Sequence, residues 1–251
     1  MDAIGIIPAR YKSTRFEGKV LADLLGKPVV QHVYETAKRA RMLNDLIIAT
    51  DDDRVAECVK GFGGKAALTS TDQPTGTDRL GEVVNPIDVR VVVNIQGDEP
   101  LVHHTMIDEL IRTMLEDRQL TMATVIKRID DKKELADPNV VKVVIDRHGY
   151  ALYFSRSPIP FERVGPVKNF YKHLGLYAYT KDFLFTFTNL PKTDLEKAES
   201  LEQLRALEHG YRIKTIETKF ETVGIDTPED LEKAKRILLE REQGDDKDKR
   251  D

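Results

Sequence analysis

Short apolar runs alternate with amphipathic helical patterns along the first half of the chain, and this alternation constrains the fold more than any other feature. The apolar runs have the length and composition of buried parallel strands, and they occupy residues 3–7, 46–50 and 91–95. Helical patterns follow them after Pro28, over residues 53–62 and over residues 106–115. Such units predict an α/β fold with a Rossmann-like, doubly wound, mostly parallel sheet. Because ligands bind at the carboxyl ends of such strands, we expect the site in the loops that follow them.

The pattern changes near residue 121, where predicted strands cluster instead of alternating with helices. These strands cover residues 121–126, 140–145, 151–154 and 173–179. We therefore divide the chain into a main α/β region, residues 1–120, and a smaller mixed α+β lobe, residues 121–222. Thr227 and Pro228 form a strong helix start, so residues 223–243 are predicted to be a candidate metal-binding loop followed by a helix that returns to the main sheet. The charged residues 244–251 are predicted to be disordered.

Composition limits the classes of partner. The 251 residues carry a formal net charge of −4, which gives no overall attraction to nucleic acid or to an anionic membrane. The sequence has neither an apolar run of about 18 residues, as a transmembrane helix requires, nor a signal-peptide pattern. Its single cysteine, Cys58, excludes an intrachain disulfide framework. We expect small-molecule substrates and a cytoplasmic location.

A basic loop follows the first predicted strand. Arg10, Lys12, Arg15 and Lys19 lie within ten positions, against the single acidic residue Glu17. Guanidinium groups, an ammonium group and free backbone N–H groups together match the charge of a triphosphate. The spacing fits neither a Walker A motif nor a dinucleotide-binding glycine motif. The alternative explanation is ordinary solvated loop charge.

Two aspartates are candidates for a metal site. Asp98 follows Gly97 at the end of the third apolar run, and Asp226 immediately precedes the predicted C-terminal helix. Phosphoryl transfer requires a hard cation, and Mg²⁺ is commonly held by one or two carboxylates together with substrate phosphates. A simple Gly-Asp turn explains Asp98 equally well locally, and helix capping explains Asp226.

Two further groups of polar residues suit the recognition of a nucleoside and of an acidic polyol. The first group offers hydroxyls, a flexible glycine and a cation, and consists of Thr75, Gly76, Thr77 and Arg79. A capped helix start accounts for it equally well. The second group offers a cation and several hydrogen-bonding side chains, and consists of Arg156, His173, Tyr177, Glu199 and Gln203. Sequence spacing alone does not bring the second group together. The histidines show no zinc-binding pattern.

Taken in order, several motifs resemble one known family. They are IIPARY (6–11), STR (13–15), GK (18–19), NIQGDEP (94–100), YFSRSPIP (153–160), HLGLY (173–177), LEQLR (201–205) and GIDTPED (224–230). With these motifs, the chain resembles the 3-deoxy-manno-octulosonate cytidylyltransferases, also called CMP-Kdo synthetases, from about residue 3 to residue 239. The resemblance implies a nucleotide-diphospho-sugar transferase type of fold. It also implies transfer of CMP from CTP to the anomeric hydroxyl of 3-deoxy-manno-octulosonate (Kdo), with release of pyrophosphate, for lipopolysaccharide biosynthesis.

The resemblance further implies a cofactor, an assembly and roles for individual residues. Mg²⁺ is the expected cofactor and a homodimer, formed through the second lobe, is the expected assembly. Lys19, Asp98 and Asp226 are the expected catalytic residues, with Asp98 and Asp226 also holding the metal. The expected nucleotide-binding residues are Ala9, Arg10, Ser13, Arg15, Lys19, Thr75, Gly76, Thr77, Arg79 and Gln96. The expected sugar-binding residues are Arg156, His173, Tyr177, Glu199 and Gln203.

Two alternatives stay open. A cytidylyltransferase of the same fold that acts on a related sugar acid, such as 8-amino-Kdo or sialic acid, is one alternative, and Gln73, where the family often has a histidine, leaves the sugar selectivity open. A non-catalytic nucleotide-binding regulator is an alternative from a different class of protein. The basic loop alone would serve such a regulator, but a pocket for an acidic sugar would have no purpose in it.

Overall fold

A computed structural model of the chain describes residues 1–73, 75–165 and 169–248, with side chains described as far as residue 240. Its strands are β1 (Ala3–Pro8), β2 (Asp23–Leu24), β3 (Lys27–Pro28), β4 (Asp45–Thr50), β5 (Ala66–Leu68), β6 (Val91–Asn94), β7 (Met122–Ile129), β8 (Lys142–Ile145), β9 (Ala151–Ser155), β10 (Phe170–Thr180) and β11 (Lys214–Thr218). Its α-helices are α1 (Val29–Ala37), α2 (Asp53–Gly61), α3 (Gly76–Val84), α4 (His104–Glu116), α5 (Lys132–Ala136), α6 (Lys181–Asn189), α7 (Asp194–Glu199), α8 (Leu204–Glu208) and α9 (Pro228–Asp248). A short 3₁₀-helix covers Lys19–Leu21.

One large sheet organises the molecule. Within the described residues its main path has the order β11-β7-β10-β6-β1-β4-β5, and β8 and β9 extend from β10. β1 is parallel to both β4 and β6, and β4 is parallel to β5. β10 runs antiparallel to β6 and β7, while β11 is parallel to β7. The predicted α/β class with a mostly parallel sheet is confirmed.

The central strands are buried on both faces because helices cover both faces. In β1, Ile4 and Ile6 face one hydrophobic cluster, whereas Ala3 and Ile7 face another. The cluster around Ile7 contains the apolar faces of α1, α2 and α4, and the cluster around Ile4 contains those of α3, α6 and α8. Continuous apolar runs, rather than alternating ones, are therefore required in these strands. The doubly wound arrangement follows from the sequence pattern as predicted.

Strands from the predicted second lobe belong to the same sheet as the main region. β7 and β10 lie directly beside each other and β10 pairs with β6, so the predicted boundary at residue 120 falls between two elements of one sheet. The division of the chain into a main region and a second lobe stays a prediction. The last helix continues to Asp248, whereas the sequence predicted disorder from residue 244. The end of that predicted tail, residues 249–251, lies outside the described residues.

The sheet has a topological switch point beside β1. The chain passes from β1 to β4 on one side, and β6 later adds on the other side. The loops after β1 and β6 therefore diverge around a crevice at the carboxyl ends of these strands, where ligands bind in such folds. Across the described residues, no helix has both the length and the apolar character needed to cross a membrane.

Candidate active site

The loop between β1 and the 3₁₀-helix folds back on itself and forms one wall of a cavity. Gly18 N–H donates to Tyr11 O at 2.8 Å, and Gly18 adopts a left-handed φ of 69° that closes the loop. The guanidinium of Arg54, in α2, lies 3.4 Å from the centroid of the Tyr11 ring. These contacts fix the backbone of the loop at Tyr11 and Gly18, and so they position the basic side chains that lie between these two residues.

A cavity of about 410 Å³ lies against this loop. It is lined by Pro8, Arg10, Lys12, Ser13, Thr14, Arg15, Lys19, Val20, Gly76, Gln96, Asp98 and Asp226. Arg10, Ser13, Arg15, Lys19, Gly76 and Gln96, all of which the sequence assigned to the nucleotide, therefore lie around one space. Four basic residues and two carboxylates at one cavity are chemically suited to a polyanion bound together with a cation.

Lys19 joins the two candidate metal ligands. Its ammonium donates to the carboxylate of Asp98 and, at 2.9 Å, to Oδ1 of Asp226. Arg15 lies 2.8 Å from the other carboxylate oxygen of Asp226. Burial disfavours the charge on Lys19, but the two carboxylates outweigh this effect and raise its pKa. Asp98 and Asp226, distant in sequence, converge on one cation position.

Backbone contacts bring Asp226 to this place. The N–H of Ile225 donates to the carbonyl oxygen of Asp98 at 2.9 Å. The N–H groups of Asp226 and Thr227 donate to Oδ2 of Asp230, and Asp230 N–H donates back to the Thr227 hydroxyl. The predicted cap at the start of α9 is thus present, and it holds Asp226 just before the helix.

Gly97 allows the loop after β6 to approach β1. A Cβ atom at Gly97 would lie 2.7 Å from the carbonyl oxygen of Pro8 and 3.3 Å from Cγ2 of Ile7. Real Cβ atoms do not approach a carbonyl oxygen so closely, so only glycine fits between the two strands. This close approach places Asp98 beside the loop that carries Lys19.

Four predicted nucleotide-binding residues, Ala9, Thr75, Thr77 and Arg79, do not line the cavity. Ala9 and Arg79 are fully buried, and Thr77 nearly so. The Arg79 guanidinium forms an ion pair with Asp51 at 2.8 Å and also contacts the Thr69 hydroxyl. The structure therefore places Arg79 inside the protein, below the surface at which the sequence expected a nucleotide contact. Sequence reasoning could not predict this ion pair, because a single buried pair produces no repeating pattern in the sequence.

The hydroxyls of Thr75 and Thr77 have a shared acceptor that sequence reasoning missed. Thr75 donates to Oε1 of Glu202 at 3.1 Å, and Thr77 donates to Oε2 at 2.8 Å. Burial raises the pKa of Glu202, although these two hydrogen bonds oppose the shift. Thr75 also forms a capping box with Asp78 at the start of α3. The capped-helix alternative is therefore present, and Glu202 connects it to the segment that contains Gln203.

A second cavity, of about 510 Å³, adjoins the first and shares Arg15 and Asp226 with it. This second cavity lies beside β10, which contributes Lys172, His173 and Gly175 to its lining. Other lining residues are Glu99, Asp137, Val141, Glu221 and Gly224. Burial and the neighbouring Asp98 raise the pKa of Glu99 to about 7, against a hydrogen bond with Thr222. The sequence motif contained Glu99, but only the structure shows that its carboxyl group is desolvated.

Of the five predicted sugar-binding residues, His173 lines this second cavity, whereas Arg156, Tyr177, Glu199 and Gln203 are not among its lining residues. Tyr177 forms one group with His173. The rings of His173 and Tyr177 are 5.2 Å apart, and His173 Nε2 lies 3.0 Å from the Thr124 hydroxyl. Burial lowers the pKa of His173 to about 3, so the ring is neutral at physiological pH. The pKa of the Tyr177 phenol is raised well above its usual value. Burial is the largest cause, followed by the neighbouring Tyr179, Glu202 and Glu99.

Arg156 and Glu199 form the second group, and they are joined by hydrogen bonds that Arg156 donates to Glu199. Glu199 accepts from the Arg156 N–H at 2.9 Å and from the Ser155 hydroxyl at 2.6 Å. The Arg156 guanidinium donates to the Glu199 and Pro138 carbonyl oxygens. Both side chains thus bind protein groups, and their contact with a sugar stays a prediction. Gln203 differs, because it is buried while its Nε2 atom has no hydrogen-bond partner among the described residues.

The donor set suits a hard cation that also binds substrate. Within the residues that the structure describes, no cluster of three or more His, Cys, Asp and Glu side chains could hold a metal alone. Asp98 and Asp226 supply two carboxylates on one cation position, where the Lys19 ammonium now lies. Mg²⁺ is usually held by one or two carboxylates with phosphate oxygens completing its shell, so the pair fits Mg²⁺ and does not fit a closed structural metal site.

Fold and site together define an α/β nucleotidyltransferase. Residues 4–216 match the family model described as cytidylyltransferase. The chain is 53% identical over 244 residues to the 3-deoxy-manno-octulosonate cytidylyltransferase of Geobacter sulfurreducens, covering 93% of this chain and 98% of that protein. It is also 53% identical over 245 residues to the enzyme of the same name from Syntrophobacter fumaroxidans, covering 96% and 98%.

Solved structures agree with this class. A CMP:2-keto-3-deoxy-manno-octonic acid synthetase complexed with CTP superimposes with a TM-score of 0.91 at 43% identity, covering 96% of this chain and 100% of that one. A putative glucose-1-phosphate thymidylyltransferase from Bacillus anthracis, at 17% identity and a TM-score of 0.66, shares the fold, with 94% of each chain covered. The chain belongs to the 3-deoxy-manno-octulosonate cytidylyltransferase family.

Proposed function

We propose that the protein transfers CMP from CTP to the anomeric hydroxyl of Kdo and releases pyrophosphate, a reaction of lipopolysaccharide biosynthesis. The observation that carries the proposal is the position of Asp226, which lies on the boundary shared by the basic cavity and the second cavity. A residue common to both spaces lies where a triphosphate and an acceptor sugar would meet. The high identity to relatives named for this activity supports the choice of substrates.

The basic cavity is the proposed site of CTP. In this proposal Arg10, Ser13 and Arg15, which line the cavity, bind the triphosphate, and Gln96, which lines it after β6, contacts the nucleoside. In the reaction, the anomeric oxygen forms a bond to the α-phosphorus, and the bond from that phosphorus to the bridging oxygen breaks. Pyrophosphate leaves with the electron pair of that bond and the hydroxyl proton passes to solvent. In this proposal Arg15 and Lys19 offset the charge that develops on pyrophosphate.

The proposed cofactor is Mg²⁺, held by Asp98 and Asp226. When bound, it supplies charge neutralisation at phosphate oxygens and lowers the pKa of an attacking hydroxyl. Lys19 holds the two carboxylates in place through its hydrogen bonds to both of them. Lys19 and Arg15 together balance the charge of the two carboxylates, and the phosphates of CTP would add the negative charge that attracts a divalent cation to this place.

The second cavity is the proposed site of Kdo. Arg15 and Lys172 contribute cationic groups to its lining, and the neutral ring of His173 contributes a hydrogen-bonding group. Gln203 enters the proposal through the resemblance alone, because it is buried and is not among the residues that line this cavity. A homodimer and a cytoplasmic location complete the proposal. Exposed apolar residues in the second lobe, Leu152, Phe161 and Val164, support the dimer, and the use of CTP supports the location.

One experiment tests the proposal and separates it from its alternatives. Purified protein is incubated with CTP, Mg²⁺ and one sugar acid at a time, namely Kdo, 8-amino-Kdo or sialic acid, and pyrophosphate is measured. We expect kcat/KM to be highest for Kdo. A higher value for 8-amino-Kdo or sialic acid would replace the acceptor while keeping the reaction. CTP binding without pyrophosphate release on any of the three would indicate a nucleotide-binding regulator.

A further inference from the structure

Lys142, the first residue of β8, carries a buried ammonium whose partners are backbone carbonyls. The side chain is fully buried, and Nζ donates to the carbonyl oxygens of Asp137 at 2.9 Å, Val140 at 2.7 Å and Arg156. The three N–H groups of the ammonium therefore match three acceptors. An apolar side chain of similar length would avoid the desolvation of a charge but would leave these carbonyls without their donor.

The three carbonyls belong to two segments that lie on either side of the Lys142 side chain. One segment, residues 137–141, contributes Asp137, Asn139, Val140 and Val141 to the lining of the second cavity. The other contains Arg156, whose guanidinium donates to the carbonyl oxygen of Pro138 at 3.0 Å. Lys142 thus reinforces the connection that Arg156 itself makes to residues 137–141.

This connection reaches His173. The N–H of His173 donates to the carbonyl oxygen of Val141 at 2.8 Å, and Lys142 pairs with Lys172 in the register of β8 and β10. A shift of residues 137–141 would therefore move both one wall of the second cavity and the backbone that carries its histidine. Displacements of about 1 Å are sufficient to cost a large factor in substrate use.

We propose that Lys142 is a positioning residue for the acceptor sugar: its ammonium fixes the 137–141 wall and Arg156 relative to His173, and so maintains the shape of the second cavity. The inference rests on the proposed assignment of that cavity to Kdo. The basic cavity that is assigned to CTP has no lining residue in segment 137–141, so the two substrates should respond differently to a change at Lys142.

The test compares two variants of Lys142 with a matched control. Lys142→Met removes the donors with little change in length, and Lys142→Gln retains a neutral donor group. Lys181 is the control, because its ammonium also donates to backbone carbonyls, those of Asn85 and Ile87, and it lines neither cavity. The measurements are KM for Kdo, KM for CTP, kcat and the melting temperature of each full-length protein.

We expect KM for Kdo to rise about tenfold or more in Lys142→Met, with a smaller rise in Lys142→Gln and little change in KM for CTP. Lys181→Met should leave both KM values near those of the original protein. If Lys142→Met does not fold, Lys142→Gln decides the question alone. A loss of kcat or of melting temperature with both KM values unchanged would assign Lys142 a purely structural role and overturn the inference.

A separate variant distinguishes failure of the inference from failure of the site on which it rests. His173→Ala alters the lining of the second cavity directly, and it should raise KM for Kdo. If His173→Ala leaves that KM unchanged, the assignment of the cavity to Kdo is wrong and the inference fails with it. If only the Lys142 variants leave it unchanged, the cavity assignment stands and the role of Lys142 is rejected.

Discussion

Lys19 Nζ lies 2.9 Å from Oδ1 of Asp226, although the two residues are 207 positions apart in the sequence. The same ammonium also contacts Asp98. The loop after the first strand, the loop after β6 and the start of the last helix therefore share one charged centre. Such convergence is a property of the fold, because each of these segments follows or approaches the carboxyl end of a central strand.

Asp98 and Asp226 should be required for chemistry far more than for folding. We expect Asp98→Asn and Asp226→Asn each to lower kcat for pyrophosphate release by about a hundredfold or more, because each removes a charge from the proposed Mg²⁺ site. Circular dichroism and melting temperature should change little, since Asn preserves the shape. Asp45→Asn, which alters a surface pair with Lys65, is the control. Near-normal turnover in either active-site variant would remove that aspartate from the metal site.

Gly97 should tolerate no side chain. Because a Cβ atom would lie 2.7 Å from Pro8 O, Gly97→Ala should force β1 and β6 apart, lower the free energy of unfolding by about 2 kcal/mol and reduce activity. Urea denaturation and a pyrophosphate assay measure the two effects. A methyl group at Gly61 would meet no atom of the surrounding described residues within 4 Å, so Gly61→Ala should be neutral or slightly stabilising. Equal behaviour of the two variants would contradict the steric argument.

Arg79 should contribute to stability rather than to nucleotide affinity. Its guanidinium is fully buried and paired with Asp51, so Arg79→Met leaves a partly buried carboxylate without its partner and should cost about 3 kcal/mol of unfolding free energy. KM for CTP, measured well below the melting temperature, should change little. Lys65→Met, which breaks an exposed pair, should have only a small effect on stability. A large rise in KM for CTP at unchanged stability would instead make Arg79 a nucleotide contact.

His173 should make the protein less stable in acid. Burial lowers its pKa to about 3, whereas an unfolded histidine titrates near pH ~6.5. Between these values the unfolded state binds a proton that the folded state does not, so stability falls as the pH falls from about 6.5 towards 3. His173→Asn should flatten this part of the profile, measured as the urea midpoint against pH. An unchanged slope in His173→Asn would refute the assignment.

Much of the fold was predictable because burial on two faces leaves a direct mark on sequence. Strands such as β1 and β6 must be apolar throughout when helices cover both faces, and the sequence shows this. The cap of α9 was predictable for a similar reason, since Thr227 and Asp230 act over only a few residues. Features that depend on residues close together in the chain, such as caps and burial patterns, can therefore be predicted from the sequence.

Contacts between distant segments left no such mark. Thr75 and Glu202 can be read from the sequence, but the hydrogen bond that joins them across 127 positions cannot. Arg79, in α3, is equally visible in the sequence, but nothing in the sequence indicates that its partner is Asp51 in the loop after β4. Resemblance to a family predicted a set of site residues, but it did not separate those that line a cavity from those, such as Arg79, that are buried and do not line it.

The hydrogen bond from Ile225 to the carbonyl oxygen of Asp98 also has a consequence for synthesis in the cell. A ribosome builds the chain from its N-terminus, and domains generally fold as units once their parts have emerged. The basic loop and Asp98 leave the ribosome long before Asp226 does, so an unfinished chain has Lys19 and Asp98 without Asp226. The charged centre can therefore form only after Asp226 has been synthesised.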